Sequence, residues 1–536
     1  MLLRVSLFLC SLLVIACDSN APGSAESRTD DASGGLTFLH LNDTYRIAAV
    51  EDGTRGGFGR VTTVIRELQE QGRDVHLLHG GDFLYPSLES QLWDGQQMID
   101  AFNFMHRLAP LTAVIGNHET DRRSVKQLAD ALIASEFGWV GGNIRVTSGQ
   151  PDVDSRVRDT SLIDVGNRQV GVFGLTLLPP DGGNDRDYLE YDDYLDSARR
   201  SLDQLSAQGV DIIIGLTHLH MEDDRRISAL RAEYPNFVLI AGGHEHEPEH
   251  QAPEAGRAEI VKGASNARSI WRIDVEFDPD GRPTLRTELI ELDAAVTEDA
   301  EYALLAARWR ERLLETIPFL PAKIGEAAVP FDAREVTIRN RESNWGNFVV
   351  DQMRTAFGDE PPADLAFLNS GTLRIDDYIA GDITFEDVAR TFGFSSFLHY
   401  LEMSGEEFRS TLEAGYRGAG PSKGYFPRVS GFRVCIDRTR PEGSRIVQLQ
   451  IPDDGGWGAI DASASYLVVA PEYLVGGGDG YQFPAGRASR PGSELRYLVL
   501  DAIVSAQARG EAVGREVDPQ NPRIAFAQPG ELCFPQ

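Results

Sequence analysis

Runs of apolar residues alternate with amphipathic segments over the first half of the chain. The apolar runs that predict buried strands are 36–41, 75–79, 111–115, 170–178, 211–216 and 237–241. Between these strands, apolar residues recur about every 3.6 positions, which predicts helices at 61–68, 96–108, 191–207 and 224–234. Alternating strands and helices predict a layered α/β sheet.

Five of the predicted strands end at a polar residue of a type that binds metals. The endings are Asn42-Asp43, Gly80-Gly81-Asp82, Gly116-Asn117-His118-Glu119, Thr217-His218 and Gly242-Gly243-His244-Glu245-His246. Ligands bind at the carboxyl ends of the strands in open α/β sheets. A single histidine after a strand is usually a packing or surface residue, but five such endings are hard to reach by chance.

The residue types at these endings indicate a metal centre. Carboxylate, amide oxygen and imidazole together suit Zn, Mn, Fe or Co better than Ca or Mg alone. A carboxylate that lies between two cations can bridge them. Two metals about 3.5–4 Å apart can clamp a phosphate and activate water near neutral pH. The expected cofactor is therefore a pair of divalent or mixed-valence ions (Zn, Mn, Co or Fe).

In this order, the five motifs resemble those of calcineurin-like metallophosphoesterases. The flanks at 41–43 and 116–121 are similar to the bacterial 5'-nucleotidase and UDP-sugar hydrolase family. The resemblance implies a four-layer α/β/β/α catalytic domain followed by a smaller α/β C-terminal domain. It implies that Asp82 bridges two metals, that Asn117, His218 and His244 complete one site, and that Asp43 and His246 serve the other. It also implies that His118 stabilises charge on the transferring phosphoryl group and that Asp121 orients His118.

The first motif departs from the family. The family usually has Asp-x-His there, whereas this chain has Asp43-Thr44-Tyr45. Tyr45 could bind as a phenolate, which needs a strongly Lewis-acidic metal, or it could be structural and leave a looser site. Tyr85 could also substitute as the ligand, because Gly-Asp-x-x-Tyr occurs here as in purple acid phosphatases, where the tyrosine binds ferric iron. These alternatives stay open, beside the simpler one of a packed tyrosine at the edge of the site.

A second set of motifs lies in the later part of the chain. With 536 residues, the chain is too long for one core, which predicts two or more domains. A helical stretch at 299–315 is followed by Pro318 and Pro321, which indicates a connection between domains. The segments 341–347, 365–374, 392–394 and 473–481 then resemble the C-terminal domain of 5'-nucleotidases. The predicted boundaries are 36–298 for the catalytic domain, 299–322 for the connection and 323–536 for the nucleotide-binding domain.

The resemblance assigns substrate contacts to this second domain. It implies that Phe394 and Tyr473 hold a base between them, that Asp479 bonds the ribose hydroxyls, and that Asn369 and Arg374 hold the sugar-phosphate end. Stacking of a base on an aromatic ring contributes about 1–3 kcal/mol in single-strand binders. Arginine is suited to bidentate contact with phosphate. A lone aromatic residue or arginine is more often a packing or surface residue, but the occurrence of these residues together, at the spacing of the family's motifs, favours the substrate roles.

The N-terminus predicts an exported lipoprotein. Arg4 and the apolar run 7–15 have the pattern of a signal peptide, too short to span a bilayer as a mature helix. The residues Val14-Ile15-Ala16-Cys17 resemble a bacterial lipobox, so that 1–17 would be a signal with Cys17 lipidated; an ordinary signal peptide is the alternative. Residues 18–35 are rich in Ser, Ala, Gly and Asp and predict a flexible tether. The expected location is extracytoplasmic, on either membrane.

Charge and cysteines narrow the picture further. The formal net charge of -31 argues against nucleic-acid binding by a basic surface, and it means that an anionic substrate needs local arginine or metal charge. The expected partners are a nucleotide substrate and a membrane, the latter through the lipid anchor only. Cys435 and Cys533 form a bridge or remain two separate thiols.

Together these features predict a metal-dependent phosphohydrolase that releases phosphate from nucleoside 5'-monophosphates. A UDP-sugar hydrolase or a cyclic-nucleotide phosphodiesterase would use the same centre, and the sequence does not separate them. A thiosulfohydrolase of sulfur oxidation shares the fold. A non-catalytic nucleotide-binding lipoprotein is the alternative from another class, because the first motif lacks its histidine.

Overall fold

Strands and helices alternate in the first domain, as the apolar pattern predicts. The structure, a computed structural model, describes residues 35–122, 124–165, 168–178, 187–278, 282–357, 362–418, 423–453, 455–486 and 489–535. The strands are β1 (Leu36–Leu41), β2 (Asp74–His79), β3 (Leu111–Val114), β4 (Gly138–Val140), β5 (Ile144–Val146), β6 (Val157–Arg158), β7 (Thr160–Val165), β8 (Arg168–Thr176), β9 (Leu189–Tyr191), β10 (Ile212–His218), β11 (Phe237–Gly242), β12 (Glu249–Gln251), β13 (Glu259–Lys262), β14 (Ser269–Phe277) and β15 (Pro283–Glu291). The helices are α1 (Phe58–Glu70), α2 (Leu88–Trp93), α3 (Gln96–Leu108), α4 (Val125–Ala134), α5 (Pro151–Asp154), α6 (Tyr194–Gln208), α7 (Met221–Ser228) and α8 (Ala300–Thr316).

Two β-sheets lie face to face in this domain. One has seven strands in the order β15-β14-β1-β2-β3-β4-β6, and the other has six in the order β12-β13-β11-β10-β8-β7. Phe38 and Val114 of the first sheet pack against Ile212 and Ile214 of the second. The intervening Ile213 lies in the apolar cluster on the opposite face of its sheet, because side chains alternate along a strand.

Helices cover the outer face of each sheet. On the seven-stranded sheet, Ile65 of α1, Phe102 of α3 and Tyr302 of α8 join one apolar cluster. On the six-stranded sheet, Leu202 of α6 and Ile227 of α7 join another. The layers therefore run helix, sheet, sheet, helix, which confirms the predicted four-layer fold.

Two of the differences between the predicted pattern and the structure have a clear physical origin. The helix expected from residue 224 begins at Met221, because Glu222, Asp223 and Asp224 occupy its first turn, where negative charge favours the helix dipole. The hairpin of β14 and β15 was not predicted at all. Residues along β15 alternate between exposed and half-buried, so this edge strand has no continuous apolar run.

A second, smaller α/β domain follows α8. Its strands are β16 (Lys323–Glu326), β17 (Phe331–Asp332), β18 (Leu365–Asn369), β19 (Tyr378–Ile379), β20 (Asp382–Thr384), β21 (Phe397–Ser404), β22 (Pro427–Ser430), β23 (Arg433–Ile436), β24 (Ile446–Asp453), β25 (Gly456–Ala459), β26 (Ser465–Pro471), β27 (Arg490–Glu494) and β28 (Ile524–Phe526). Its helices are α9 (Glu335–Ile338), α10 (Asn344–Met353), α11 (Phe385–Thr391), α12 (Gly405–Glu413), α13 (Glu472–Val475) and α14 (Leu495–Ala508).

The core of the second domain lies on both faces of a five-stranded sheet with the order β22-β18-β26-β21-β27. Trp345 of α10 and Val499 of α14 pack on one face. Leu412 of α12 and residues of a four-stranded sheet, β25-β24-β23-β28, pack on the other. A disulfide joins Cys435 and Cys533, with their Cα atoms 5.6 Å apart. Of the two predicted alternatives, the disulfide is therefore confirmed and the pair of separate thiols is not.

The predicted signal peptide with Cys17 and the tether as far as residue 34 lie outside the described residues. Within the described ranges, no helix combines the length and the hydropathy that crossing a bilayer requires.

Candidate metal centre and substrate site

The carboxyl ends of the central strands bring the predicted ligands to one edge of the first domain. In the parallel register, Leu41 of β1 lies beside His79 of β2, and Thr217 of β10 lies beside Gly242 of β11. The residues just beyond these ends take up backbone angles that are uncommon outside glycine. Asp43, Asp82 and His244 have φ values of 52°, 62° and 79°. Such strain costs on the order of 1–3 kcal/mol per residue and is typical of functional sites.

Asp82, Asn117 and His218 form a cluster of metal-type donor atoms, which we call the His218 group. The Nδ1 atom of His218 lies 2.7 Å from the Gly80 carbonyl oxygen, to which it donates. The Nε2 atom, which carries the lone pair when the imidazole is neutral, lies 3.2 Å from Asp82 Oδ2 and 3.1 Å from Asn117 Oδ1. An imidazole whose other nitrogen is fixed by a carbonyl is the usual arrangement of a metal-binding histidine. Asp43, Asp82 and His218 offer donor atoms within 4.8 Å of one another.

The ring of His244, the predicted third ligand of this site, lies close by. Its centroid is 5.3 Å from that of His218 and 4.4 Å from that of His220. Burial lowers the pKa of His244 well below its ordinary value, and the neighbouring histidines lower it further. A neutral imidazole is the form that binds metals.

Asp43, Tyr45, Asp82 and His246 form a second cluster, which we call the Tyr45 group. The Tyr45 hydroxyl oxygen lies 3.3 Å from Asp43 Oδ1, 3.4 Å from Asp82 Oδ2 and 3.2 Å from His246 Nε2. His246 Nε2 is in turn 3.3 Å from Asp43 Oδ1. Because Asp82 Oδ2 faces both clusters, it lies where an oxygen that bridges two cations would lie.

The buried carboxylates make this edge strongly favourable for positive charge. Burial alone would raise the pKa of Asp82, but the facing imidazoles of His218 and His118 lower it below its usual value. Although burial opposes a charged imidazole, Asp82 and Asp43 raise the pKa of His218 to about 10. Burial, Asp82 and Asp43 all raise the pKa of Tyr45 well above its ordinary value. The donor types and this field together fit bound metal cations.

His118 and Asp121, the predicted catalytic pair, lie beside the metal-type donors. His118 Nδ1 and Asp121 Oδ2 are 2.8 Å apart, and the backbone N–H of His118 donates to Asp82 Oδ1 at 2.8 Å. The other ring nitrogen of His118 lies 3.2 Å from Arg374 Nη2 of the second domain. Burial opposes a charged His118, but Asp121 and Asp82 raise its pKa overall.

Arg374 reaches the metal centre from the second domain. Its Nε donates to the Gly371 carbonyl oxygen at 2.7 Å, whereas its Nη1 is buried and has no hydrogen-bond partner among the described residues. The guanidinium carbon lies 5.4 Å from the centroid of the Tyr45 ring and 5.3 Å from that of Phe394. A buried guanidinium with a free donor beside a metal centre fits an anion such as phosphate.

The other predicted substrate residues form a second contact group. Asn369 Nδ2 donates to Asp479 Oδ2 at 2.8 Å, and the Tyr473 hydroxyl donates to Asp479 Oδ1 at 3.0 Å. Tyr473 is 54 % exposed, while the half-buried Phe394 lies with its ring centroid 5.6 Å from that of His118. Among the described residues, these two rings make no contact with each other.

Tyr85 is not placed as a metal ligand, and that prediction is corrected. Its hydroxyl oxygen lies 2.9 Å from the Ser90 carbonyl oxygen and 3.0 Å from Asp94 Oδ1, and it accepts a hydrogen bond from Arg122 Nε at 2.8 Å. These contacts use the hydrogen-bonding capacity of the hydroxyl, and none of the partners belongs to either donor cluster. Tyr45 instead supplies the phenol at the centre.

Glu119 lies in the motif that carries Asn117 and His118, but nothing in the sequence pattern predicts its role. Its carboxylate accepts hydrogen bonds from the backbone N–H groups of Gly116, Asp82, Phe83 and Leu84 at 2.6–3.0 Å. Burial and the charge of Asp82 raise the pKa of Glu119 to about 7. Glu119 therefore holds the loops after β2 and β3 together.

Contacts from the second domain to the first-domain ligands were also missed. Glu335 Oε2 lies 2.6 Å from His246 Nδ1 and accepts from Ser265 Oγ at 3.0 Å, and Glu335 Oε1 accepts from Arg339 at 2.7 Å. Asn266 donates to Asp376 Oδ2 at 2.9 Å, again across the two domains. No local motif marks these residues, because the partners are far apart in the sequence.

Comparisons with known proteins agree with this geometry. The family model described as calcineurin-like phosphoesterase matches residues 36–248, and the one described as 5'-nucleotidase, C-terminal domain, matches residues 323–486. The chain is 25% identical over 491 residues to the 5'-nucleotidase of Mus musculus, an alignment that covers 83% of this chain and 84% of that protein.

Solved structures show the same two-domain architecture. The chain matches the structure of a 5'-nucleotidase precursor from Thermus thermophilus with a TM-score of 0.76 and 25% identity, covering 92% of this chain and 99% of that one. It also matches the sulfate thiohydrolase SoxB of Thermus thermophilus, with a TM-score of 0.70 and 17% identity over 92% of this chain and 97% of that one. At that identity, the second match shows the shared fold alone.

Proposed function

The chain belongs to the calcineurin-like metallophosphoesterases that carry a 5'-nucleotidase C-terminal domain, and on that premise we propose that it hydrolyses nucleoside 5'-monophosphates. It is a metal-dependent phosphohydrolase, and the proposal concerns its substrate and the roles of its residues. One observation carries the proposal. Arg374 of the second domain lies 3.2 Å from His118 of the first, so that an anion-binding group and the predicted catalytic histidine meet at the metal centre.

The two donor clusters would hold the metals. Asp82 would be shared, with Asn117, His218 and His244 on one side and Asp43 and His246 on the other. Two divalent or mixed-valence ions bound there would polarise the phosphoryl oxygens and activate a water molecule as the nucleophile. Zn, Mn, Co and Fe all suit this donor set.

The residues of the chain would orient the phosphate and neutralise its charge. Asp121 fixes the imidazole of His118 through Nδ1, which directs Nε2 towards the group that Arg374 also faces. A donor held in this way stabilises charge that develops on a phosphoryl oxygen. The free Nη1 of Arg374 offers a further donor to the same anion.

The second domain would bind the nucleoside. Phe394 and Tyr473 offer two aromatic faces that do not contact each other, and a planar base could stack between them. Asp479, held by Asn369 and Tyr473, offers carboxylate oxygens to the ribose hydroxyls.

A panel of substrates tests this function. The soluble chain that begins after Cys17 would be incubated with AMP, UDP-glucose and bis-p-nitrophenyl phosphate, and the released phosphate or nitrophenol measured. We expect rapid phosphate release from AMP that is lost in Asp82→Asn but kept in Asp130→Asn, whose carboxylate is exposed on α4 and pairs with Lys126. Cleavage of the diester alone would instead favour a phosphodiesterase, and nucleotide binding without turnover would favour a non-catalytic binding protein.

We also propose that the protein is anchored outside the cytoplasm through a lipid on Cys17. The lipobox-like residues 14–17 support this, and the disulfide between Cys435 and Cys533 supports an oxidising compartment. Labelled fatty acid should be incorporated into the wild-type chain in a bacterial host and not into Cys17→Ala. Equal incorporation into both would refute the anchor.

A further inference from the structure

Hydrogen bonding does not account for the position of the Tyr45 hydroxyl. A phenol has one proton to donate, yet its oxygen lies 3.2–3.4 Å from three different atoms that could accept it, Asp43 Oδ1, Asp82 Oδ2 and His246 Nε2. O–H···O hydrogen bonds are usually about 2.7–2.8 Å long. The contacts with Asp43 and Asp82 are longer than that, so neither carboxylate is a well-formed partner, and the contact with His246 Nε2 lies at the long end of the range for O···N hydrogen bonds.

These distances match the spacing of ligands around a metal ion. A tetrahedral ion with bonds of about 2.0–2.1 Å holds its ligand atoms about 3.3 Å apart. The Tyr45 oxygen lies 3.3 Å from Asp43 Oδ1, 3.4 Å from Asp82 Oδ2 and 3.2 Å from His246 Nε2. The fourth measured edge, between His246 Nε2 and Asp43 Oδ1, is 3.3 Å. All four therefore have the length expected for one coordination sphere.

The remaining atoms of these side chains already have other partners. Asp43 Oδ2 accepts hydrogen bonds from Asn42 Nδ2 and from the backbone N–H of His244, both at 2.8 Å. His246 Nδ1 is bonded to Glu335 at 2.6 Å. Asp43 Oδ1 and His246 Nε2 are thus the atoms left free, and both face the Tyr45 oxygen.

We propose that Tyr45 is a metal ligand, and that its phenolate oxygen completes the site formed by Asp43, Asp82 and His246. The proposal rests on the proposed function in that it requires the metal centre of this family. As the metal–oxygen bond forms, the phenolic proton leaves to solvent. The guanidinium of Arg374, 5.4 Å from the ring centroid, adds positive charge beside the phenolate.

The donor set also predicts the class of metal. Three anionic oxygens and one nitrogen make a hard site that favours a small ion of high charge, such as iron(III). The His218 group, with the neutral Asn117 and His244 beside His218, is less charged and suits a divalent ion such as zinc. The centre should therefore hold two unlike metals when both are offered.

Two measurements other than enzyme activity test whether Tyr45 is a metal ligand. Metal-depleted wild type, Tyr45→Phe and Tyr85→Phe would be loaded with iron(III) as a chelate and with zinc, and the bound metal and the visible spectrum recorded. We expect a phenolate-to-iron charge-transfer band and two ions per chain in wild type and Tyr85→Phe. Tyr45→Phe should lose the band and bind the ion of its site at least tenfold more weakly in competition with a chelator.

Tyr85 is a matched control, because both tyrosines are buried at 3–5 % exposure and only Tyr45 contacts the metal-type donors. Circular dichroism and thermal unfolding would show that both variants fold. Two ions held by Tyr45→Phe as tightly as by wild type would overturn the proposal, as would an iron-loaded wild type without the band.

Phosphate release from AMP on the same samples separates this proposal from the proposed function. The band in the wild type and weakened metal binding in Tyr45→Phe, without AMP hydrolysis by the wild type, would support Tyr45 as a ligand and contradict the proposed nucleotidase activity. AMP hydrolysis by the wild type, with both ions held by Tyr45→Phe as tightly as by the wild type, would support the nucleotidase activity and contradict Tyr45 as a ligand.

Discussion

At the scale of single residues, the proposed anion site combines residues of both domains. The Nη2 atom of Arg374 contacts His118, and its Nε atom donates a hydrogen bond to a carbonyl oxygen of its own loop. Its Nη1 atom is buried and has no hydrogen-bond partner among the described residues. A guanidinium left with a free donor in a buried position is costly unless a ligand completes its bonding. We attribute this arrangement to the phosphate of the substrate.

Replacing Arg374 with alanine should lower kcat/KM for AMP. Loss of a charge-assisted hydrogen bond costs about 1.5–3 kcal/mol, so the fall should be roughly 10–100-fold. Arg374→Lys should recover only part of it, because lysine cannot make a bidentate contact. Steady-state kinetics would measure the effect, with Arg226→Ala on the exposed surface of α7 as the control. Unchanged kinetics in Arg374→Ala would contradict a role in phosphate binding.

At the scale of secondary-structure elements, short helices of the second domain bond to residues of the first. Glu335 at the start of α9 fixes His246, although the two are 89 positions apart in the sequence. On α11, Glu386 bonds Arg310 of α8 and Arg390, and Arg390 pairs with Glu89 of α2 at 2.7 Å.

Glu335→Gln should weaken metal binding more than it weakens folding. Loss of a partner that orients a ligating histidine typically costs 10–100-fold in metal affinity. Titration of the metal-depleted protein would measure this, and Glu386→Gln provides a control that also breaks a bond between domains but lies away from the ligands. Equal metal affinity in wild type and Glu335→Gln would show that the contact has no part in positioning His246.

The contribution of α11 to stability should depend on pH. Burial raises the pKa of Glu386, but Arg310 and Arg390 lower it overall to about 2, and the pKa of Glu89 is also lowered. These depressed values mean that the stabilisation is complete above the unfolded value of about 4.5 and is lost as the pH falls towards 2.

The destabilisation by Arg390→Ala, up to roughly 3–5 kcal/mol, should therefore be smaller near pH 3 than near pH 5. Urea unfolding of both proteins at the two pH values would measure the difference. A difference that does not change with pH would exclude these ion pairs as its source.

The elements of the site were largely predictable, because parallel strands that end in polar residues must bring them to the same edge of a sheet. Asp43, Asp82, Asn117 and His218 therefore meet as expected. The Gly-Asp-x-x-Tyr spacing wrongly predicted Tyr85 as a metal ligand, because the spacing of residues along a loop does not fix the direction in which a side chain points. Glu335 could not be predicted, since its pairing with His246 depends on how the domains pack.

At the scale of the whole molecule, residues of the second domain contact residues at the candidate metal centre of the first. Glu335, Arg374 and Asp376 each cross from the second domain to His246, His118 and Asn266 of the first. Substrate entry and product release would require these contacts to open, which is how domain motions gate many enzymes. Because the net charge is -31, Arg374 and any bound metal ions would supply the local positive charge that an anionic phosphate ester needs.

Metal dependence of the reaction is tested by phosphate release from AMP by one preparation in three states: as purified, depleted of metal, and reloaded. We predict that depletion abolishes release and that reloading with two ions per chain restores it. Release that persists in protein shown to be free of metal would contradict the central claim that this chain is a metal-dependent phosphohydrolase of nucleotides.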